Sequence, residues 1–337
     1  MKLYQNFSLK DYNTFGVRAS ARAFLFIENE RELTSAVYET LLYDEFFVLG
    51  GGSNVLFAGD YDGVILKYTP DRIKIIEENA ENAIIEAEAG AKWDDFARFA
   101  SERGLSGAEN LAAIPGSVGA APVQNIGAYG AEQKDIFQSL DFFDFRNEKI
   151  TAMAAEDCRF SYRQSAFKKE LAGKGIVTKV RYRLSKSFSP NVSYPDLARR
   201  FYGAPPQTPF DVYRAVSEIR AAKLPDPSQE GNAGSFFKNP VVSAELFEKL
   251  RVLIPELRSF PTAEAGKVKA PAAALIERAG FKGAKRGAAG VSERHALVLI
   301  NRGGASGTEI ASLAQGIMRK VKSKFGVSLE PEVLIVK

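Results

Sequence analysis

Ile114-Pro-Gly-Ser-Val-Gly-Ala-Ala-Pro-Val-Gln-Asn-Ile-Gly-Ala-Tyr-Gly130 is rich in small residues, carries no charged side chain and contains two prolines. Its composition predicts a rigid loop built for close backbone approach. Gly116, Gly119, Gly127 and Gly130 can take φ > 0, and without Cβ atoms they let main-chain N–H groups face a bulky ligand. A phosphate or a flat ring fits that description. The same residues also suit a tightly packed connection between two subdomains, and a glycine-rich match does not choose between the two.

A second glycine-rich stretch, Gly50-Gly-Gly-Ser-Asn54, lies between the strand-like runs Phe46–Leu49 and Val55–Phe57. A dinucleotide fingerprint needs Gly-x-Gly-x-x-Gly entering a helix, whereas here Val55 takes the third glycine position and a strand follows. No Lys-Ser/Thr pair of a nucleotide-triphosphate loop is present. What remains is a nest of backbone N–H groups, with Ser53 and Asn54 adding side-chain donors, or an ordinary glycine-rich strand connection.

The 337 residues suffice for two or three domains, and 45% apolar with 26% charged residues is an ordinary globular composition. No run approaches the roughly 18 apolar residues of a membrane span, and the start lacks the apolar core of a signal peptide. A cytoplasmic protein is expected. Cys158 is the only cysteine and His295 the only histidine. That excludes intramolecular disulfides and argues against a His/Cys metal site or a Ser-His-Asp hydrolase, which points towards cofactor chemistry. A net charge of +4 suits anionic small molecules but falls short of a nucleic-acid footprint.

Short strand-like runs at Arg22–Ile27, Glu45–Leu49, Gly63–Leu66 and Ala83–Ala87, with a helical pattern over Glu30–Tyr43, predict α+β rather than regular βαβ. Trp93, Phe96, Ala97 and Ala100 form an apolar helix stripe that Gly104 should end. Strands are expected at Ser139–Phe145 and Ile176–Leu184. The five prolines between Lys186 and Asp211 mark a boundary or insertion. Beyond it, Pro271 can open a helix over Ala272–Ala279 at its first position, with Gly280 after it. Ser306-Gly-Thr-Glu309 reads as a capping box for a helix presenting Ile310, Leu313, Ala314, Ile317 and Val321, with Gly326 closing it. Strands Ala296–Ile300 and Glu332–Val336 flank that helix.

Asn13-Thr-Phe-Gly16, Gly50–Leu56, Ile114–Gly130, Phe160-Ser-Tyr-Arg163, Gly231-Asn-Ala-Gly-Ser-Phe-Phe-Lys-Asn-Pro240 and Glu330-Pro-Glu-Val333 follow one another in the order and spacing of a known family. Together they resemble the flavoprotein UDP-N-acetylenolpyruvylglucosamine reductases, the MurB family of bacterial peptidoglycan synthesis. The resemblance implies a vanillyl-alcohol-oxidase/PCMH-type FAD-binding domain of two subdomains, 1–68 and 69–186. A 187–211 insertion with a tyrosine loop, as in the longer subtype, and a 212–337 α+β substrate-binding domain would follow, the last strand returning to the FAD domain. It also implies non-covalent FAD, NADPH as hydride donor, a UDP-sugar substrate, and no metal, nucleic acid or membrane partner. A monomer is expected.

By the same resemblance, Gly51, Gly52, Ser53 and Asn54 match flavin contacts on the first loop, and Pro115, Gly116, Ser117, Gly119, Asn125, Gly127 and Ala128 those on the second. Family members pass hydride from NADPH through flavin N5 to C3 of the enolpyruvyl group, leaving charge to stabilise and a proton to supply. Ser235 matches the proton donor to C2, Arg163 the arginine that polarises the substrate carboxylate, and Glu332 the C-terminal catalytic glutamate. By residue type alone these read as a loop hydroxyl and two surface charges, although a glutamate opening a strand is a less routine choice. Lys223 and Asn239 match nucleotide-diphosphate contacts, and Tyr194 the tyrosine of a closing loop. Tyr162 and His295 match positions near the site, where a packed aromatic and a structural histidine serve equally well. The tail Glu-Val-Leu-Ile-Val-Lys337 departs from the family's Glu-Val-Arg ending, which puts contacts after Glu332 in question. An oxygen-using alcohol or sugar oxidase, and a silent sugar-nucleotide sensor, are the competing readings. Neither glycine loop contains the histidine through which many such oxidases attach FAD.

Overall fold

The computed structural model describes residues 1–262 and 264–337, and the chain forms two compact units. One comprises Met1–Phe7, Ala21–Gly51 and Asp62–Ala222; the other comprises Ser8–Ser20, Gly52–Tyr61 and Lys223–Lys337.

In the first unit a four-stranded sheet has the order Lys2–Ser8, Ser20–Ile27, Tyr61–Tyr68, Phe46–Val48. Its last pair is parallel, so Phe46–Val48 delivers the chain into Gly50 from the same end at which Tyr61–Tyr68 finishes. A five-stranded antiparallel sheet has the order Lys149–Ala154, Phe137–Asp144, Gly175–Ser185, Asn82–Glu88, Ile73–Glu78. From Lys179 to Leu184 its central strand alternates charged and apolar residues, as a half-buried strand does. Leu140, Val180 and Ile85 are fully buried, while Arg181 forms a fork with Asp141 and also donates to Glu86.

The helix Trp93–Glu102 bears the expected stripe, with Trp93, Phe96, Ala97 and Ala100 buried. The Trp93 and Phe96 rings lie 5.5 and 4.7 Å from that of Tyr182 on the sheet. Burying an aromatic of this size stabilises by roughly 1.5–3 kcal/mol, so packing more than propensity holds the helix. Asp94 and Asp95 suit its N-terminal dipole, and Gly104, at φ 71°, ends it.

The second unit contains an antiparallel sheet ordered Gly231–Ser235, Val298–Asn301, Ala289–Val291, Lys285–Arg286. The helix Gly307–Phe325 buries Ile310, Leu313, Ala314, Ile317 and Val321, and Ser306 and Glu309 form the anticipated capping box. Near the C-terminus, Leu334–Val336 pairs in parallel with Val55–Phe57.

Several expectations shift. The helical pattern over Glu30–Tyr43 resolves into a 3-10 turn, Glu30–Glu32, and a helix, Leu33–Thr40. Ala296–Ile300 becomes Val298–Asn301, and Glu332–Val336 shortens to Leu334–Val336, leaving Glu332 before the strand. Pro271 is the N-cap of Ala272–Arg278 rather than its first helical residue. The segment 114–130 is not wholly irregular, since it holds the short helix Ala120–Gln124 and the two-residue strand Gly127–Ala128.

Candidate functional site

Of the four glycines within 114–130 only Gly116 and Gly130 take positive φ, at 125° and 83°. Gly119 and Gly127 are required for another reason. A Cβ on Gly119 would stand 2.5 Å from the Cβ of Ala89, and one on Gly127 would stand 2.8 Å from the carbonyl oxygen of Ala131. The left-handed positions between them belong to Asn125 and Tyr129, at φ 44° and 48°. Asn tolerates that region because its short side chain can bond locally, and Asn125 does so while fully buried.

The two glycine loops meet backbone to backbone in the first unit. A Cβ on Gly51 would lie 2.7 Å from the Cα of Gly116, and one on Gly50 would lie 2.8 Å from Ser117 Oγ. Among the described residues, the N–H groups of Gly51, Gly116 and Ser117 donate to no protein acceptor. In the second unit the same holds for Gly52 and Asn54, and Gly52 is buried. In the first unit Ser117 is buried and Gly116 half-buried, and unpaired donors close together on such small residues are the arrangement a pyrophosphate would satisfy. The donor set fits FAD.

Two cations not singled out from the sequence adjoin the starts of these loops. Lys67 Nζ donates to Gly50 O at 2.7 Å, and Arg220 Nε donates to Ala113 O at 3.2 Å. Burial lowers the pKa of both, the sign of positive charge held away from water. A lone Lys in a strand and an Arg in a helix read as surface residues, so no sequence signal finds them.

Asn13–Gly16 proves to be a brace inside the second unit. Thr14 N–H donates to Gly52 O and Thr14 O accepts from Asn232 N–H, tying the first loop to the strand Gly231–Ser235. A Cβ on Gly231 would sit 2.1 Å from Phe15 O, which requires glycine there.

Ser235 is therefore not in a loop. It ends that strand opposite Val298, after an irregularity in register between Asn232 and Ser235 of the kind that re-aims a side chain. Beside it Gly234, at φ 66°, has no atom within 4 Å of where a Cβ would be, so the backbone there faces open space. The next residue, Phe236, donates to Leu297 O and accepts from the N–H of Glu332, while Glu332 O accepts from Asn54 Nδ2 at 3.2 Å. Ser235, Glu332 and Asn54 are thereby gathered in one unit by backbone bonds and the Asn54 side chain.

Arg163 belongs to the first unit. Its backbone is left-handed, at φ 54°, and its guanidinium donates to the carbonyls of Asn125 and Gly127 and lies 5.3 Å from the Tyr162 ring. Tyr194 caps the helix Pro195–Arg200, and its ring packs edge-on against Tyr129 at 5.0 Å. Burial raises both phenols, Tyr129 to about 12, so they stay protonated. Asn239 Oδ1 accepts from Ala272 N–H, which gives it a capping task at the helix Ala272–Arg278. His295 Nδ1 accepts from Leu297 N–H at 3.2 Å, and burial together with Lys223 and Lys282 lowers its pKa. Among the described residues no group of His, Cys, Asp and Glu could hold a metal ion, and no helix is long and apolar enough to cross a membrane.

Residues 21–153 match the FAD binding domain family, and residues 226–336 match the C-terminal domain of UDP-N-acetylenolpyruvoylglucosamine reductase. The enzyme of that name from Paraburkholderia phymatum is 45% identical over 332 residues, covering 97% of this chain and 96% of the relative. The one from Pseudomonas aeruginosa is 42% identical, covering 98% of each. The crystal structure of the Thermus caldophilus enzyme superposes with a TM-score of 0.68 at 23% identity, covering 100% of this chain and 98% of that one, and shares the fold. With relatives this similar along almost its whole length, the chain belongs to the UDP-N-acetylenolpyruvoylglucosamine reductase family, whose members are FAD-dependent oxidoreductases.

Proposed function

We propose that the chain reduces the enolpyruvyl group of UDP-N-acetylglucosamine enolpyruvate to give UDP-N-acetylmuramate for peptidoglycan synthesis. FAD, held non-covalently, supplies the hydride chemistry when bound, with NADPH as the donor. Gly51, Gly52, Ser53 and Asn54, with Pro115, Gly116, Ser117, Gly119, Gly127 and Ala128, hold the cofactor through backbone donors and small surfaces. Lys67 and Arg220 add positive charge at the start of each loop. Asn125 contributes through its backbone, because both amide hydrogens and the Oδ1 are already engaged within the protein.

Ser235 delivers the proton to C2, Arg163 stabilises the negative charge that develops towards the substrate carboxylate, and Glu332 is the acid–base partner at the same centre. A serine is a weak acid, so this requires a strongly basic enolate held against it in a site that excludes water. Tyr194, Lys223, Asn239, Tyr162 and His295 are assigned to substrate binding, with Tyr194 over the sugar nucleotide and Lys223 at its diphosphate. Residues 1–68 and 69–186 serve as FAD-binding subdomains, 187–211 as the tyrosine-loop insertion and 212–337 as the substrate-binding domain. A cytoplasmic, monomeric enzyme is part of the same reading.

The observation that supports this reading is the bond between Phe236 O and Glu332 N–H, one residue along from Ser235 and two from the open face at Gly234. Purified protein should be yellow, and NADPH oxidation should require the enolpyruvyl sugar nucleotide. Colourless protein that takes up no added FAD would overturn the proposal. Rapid NADPH-independent reduction of oxygen by an added alcohol or sugar would favour an oxidase instead.

A further inference from the structure

Glu132 lies outside every role assigned above, yet it stands at the centre of the side chains around Arg163. The hairpin of Gly127–Ala128 with Ala131–Glu132 places it opposite Gly127. Its Oε2 accepts from Asn125 Nδ2 at 3.1 Å and lies 2.9 Å from Lys134 Nζ. Its own N–H donates to Asp135 at 2.8 Å.

Asn125 Nδ2 also donates to Ser161 O at 2.9 Å, two residues before Arg163, and its Oδ1 accepts from Gln133 Nε2 at 3.3 Å. One buried amide thus joins the second glycine loop to the turn that carries the arginine. Arg163 closes the ring by donating back to Asn125 O and Gly127 O. Lys168 Nζ makes a parallel tie, donating to Gln124 Oε1 at 2.9 Å and to Arg163 O at 3.3 Å. A Cβ on Gly127 would meet Glu132 Cγ at 2.9 Å and Arg163 Nη1 at 3.0 Å, so carboxylate stem and guanidinium flank one glycine.

Two carbonyls therefore help to set the direction of the guanidinium, and those carbonyls follow from the left-handed backbone at Asn125. A non-glycine residue in that region is strained by roughly 1–2 kcal/mol and needs fixed partners to stay there. Glu132 provides one such partner. The Glu132–Lys134 pair is half-exposed and of the kind that contributes little by itself. What matters at Glu132 is an acceptor atom at the right place, not its charge.

We propose that Glu132 is a positioning residue for Arg163, acting through the side chain and carbonyl of Asn125. The inference rests on the role given to Arg163 above, and the test separates the two. Glu132→Gln keeps an acceptor at the same reach, whereas Glu132→Asp keeps the charge but withdraws the acceptor by one methylene. Each holoenzyme is reduced with NADPH and then mixed with the enolpyruvyl sugar nucleotide, the two half-reactions being timed separately. Affinity for UDP-N-acetylmuramate is measured by calorimetry on the oxidised protein.

Glu132→Asp is expected to slow reoxidation by substrate roughly 10- to 100-fold and weaken product binding several-fold, with flavin reduction by NADPH unchanged. Glu132→Gln should stay within about threefold of the parent in both measurements, since each retained bond differs little in geometry. Equal rates for the two variants, or Gln as the slower one, overturn the proposal. If either variant fails to retain flavin, the product affinity of the other against the parent decides, with loss for Gln or none for Asp counting against it. Arg163→Lys runs alongside: if it leaves reoxidation unaffected the role of Arg163 is wrong, and if it slows that step while Glu132→Asp does not, only the positioning role fails.

Discussion

Arg163 sits in a bracket of side chains, whereas Ser235 and Glu332 sit in a lattice of backbone bonds. Around Arg163 the amide of Asn125, the carboxylate of Glu132 and the ammonium of Lys168 each join the glycine loop or its turn to another segment. Around Ser235 most ties are main-chain groups of Phe236, Leu297 and Glu332 and of Thr14 with Asn232, joined by the side-chain amides of Asn54 and Asn232, and the tight spots are glycines pressed on carbonyls. A side-chain bracket can be loosened by removing one functional group. The backbone bonds should tolerate such removals and fail where a Cβ is added.

Replacement of Ser235 itself gives the largest expected change. Ser235→Ala should slow reoxidation by the enolpyruvyl substrate by about 10²–10⁴-fold, the range for losing a general acid, with flavin reduction by NADPH and the melting temperature preserved. An unaffected half-reaction removes Ser235 as the proton donor, and a fallen melting temperature would mean that the Ser235 hydroxyl also holds the fold.

Gly52→Ala attacks the lattice directly. At φ 68° a Cβ would fall 2.0 Å from Tyr12 O, a backbone atom with little freedom to retreat. Left-handed strain and overlap together should destabilise by roughly 2–4 kcal/mol and reduce flavin retention, read from urea midpoints and flavin absorbance. A variant as stable as the parent would mean that this backbone yields.

Asn125→Ala loosens the bracket. It leaves Gln133 Nε2 and Ser161 O without their Asn125 partner and should cost about 1–3 kcal/mol, while slowing reoxidation more than reduction. Equal slowing of both half-reactions would assign Asn125 to the flavin alone.

The smallest effect concerns His295. Its Nδ1 accepts a backbone N–H, so the ring is neutral in the fold, and its pKa lies below the ordinary 6.5. Below pH 6.5 the unfolded chain therefore binds more protons than the folded one. Stability should be full above that pH and decline as it falls, by at most about 1.4 kcal/mol per pH unit from this group. His295→Asn should flatten the decline in urea unfolding between pH 7 and 5. An unchanged slope would place the acid sensitivity elsewhere.

Elements whose causes are local were legible in the chain. The stripe Trp93, Phe96, Ala97 and Ala100, the stop at Gly104 and the capping box from Ser306 to Glu309 each depend on residues within one or two turns. Both glycine loops could be picked out for the same reason, although not the task of each glycine. Gly119 and Gly127 resemble Gly116 in sequence but serve close approach to Ala89 and Ala131, whose proximity no local pattern encodes. Ser235 reads as a loop hydroxyl because its strand is rich in glycine, and only pairing with Val298 makes it a strand. Lys67, Arg220 and Glu132 carried no signal, since their meaning comes from carbonyls and amides brought to them by folding.

Sequence by itself determined the α+β class, the two loops and, through motifs in a shared order, the family, because side-chain size, φ preference and spacing act over short distances. The tertiary structure alone decided which donors are left for a ligand, which asparagine is spent on its neighbours and which glutamate steers an arginine. Those are questions of pairing, and a hydrogen bond's partner is chosen by where the chain returns in space.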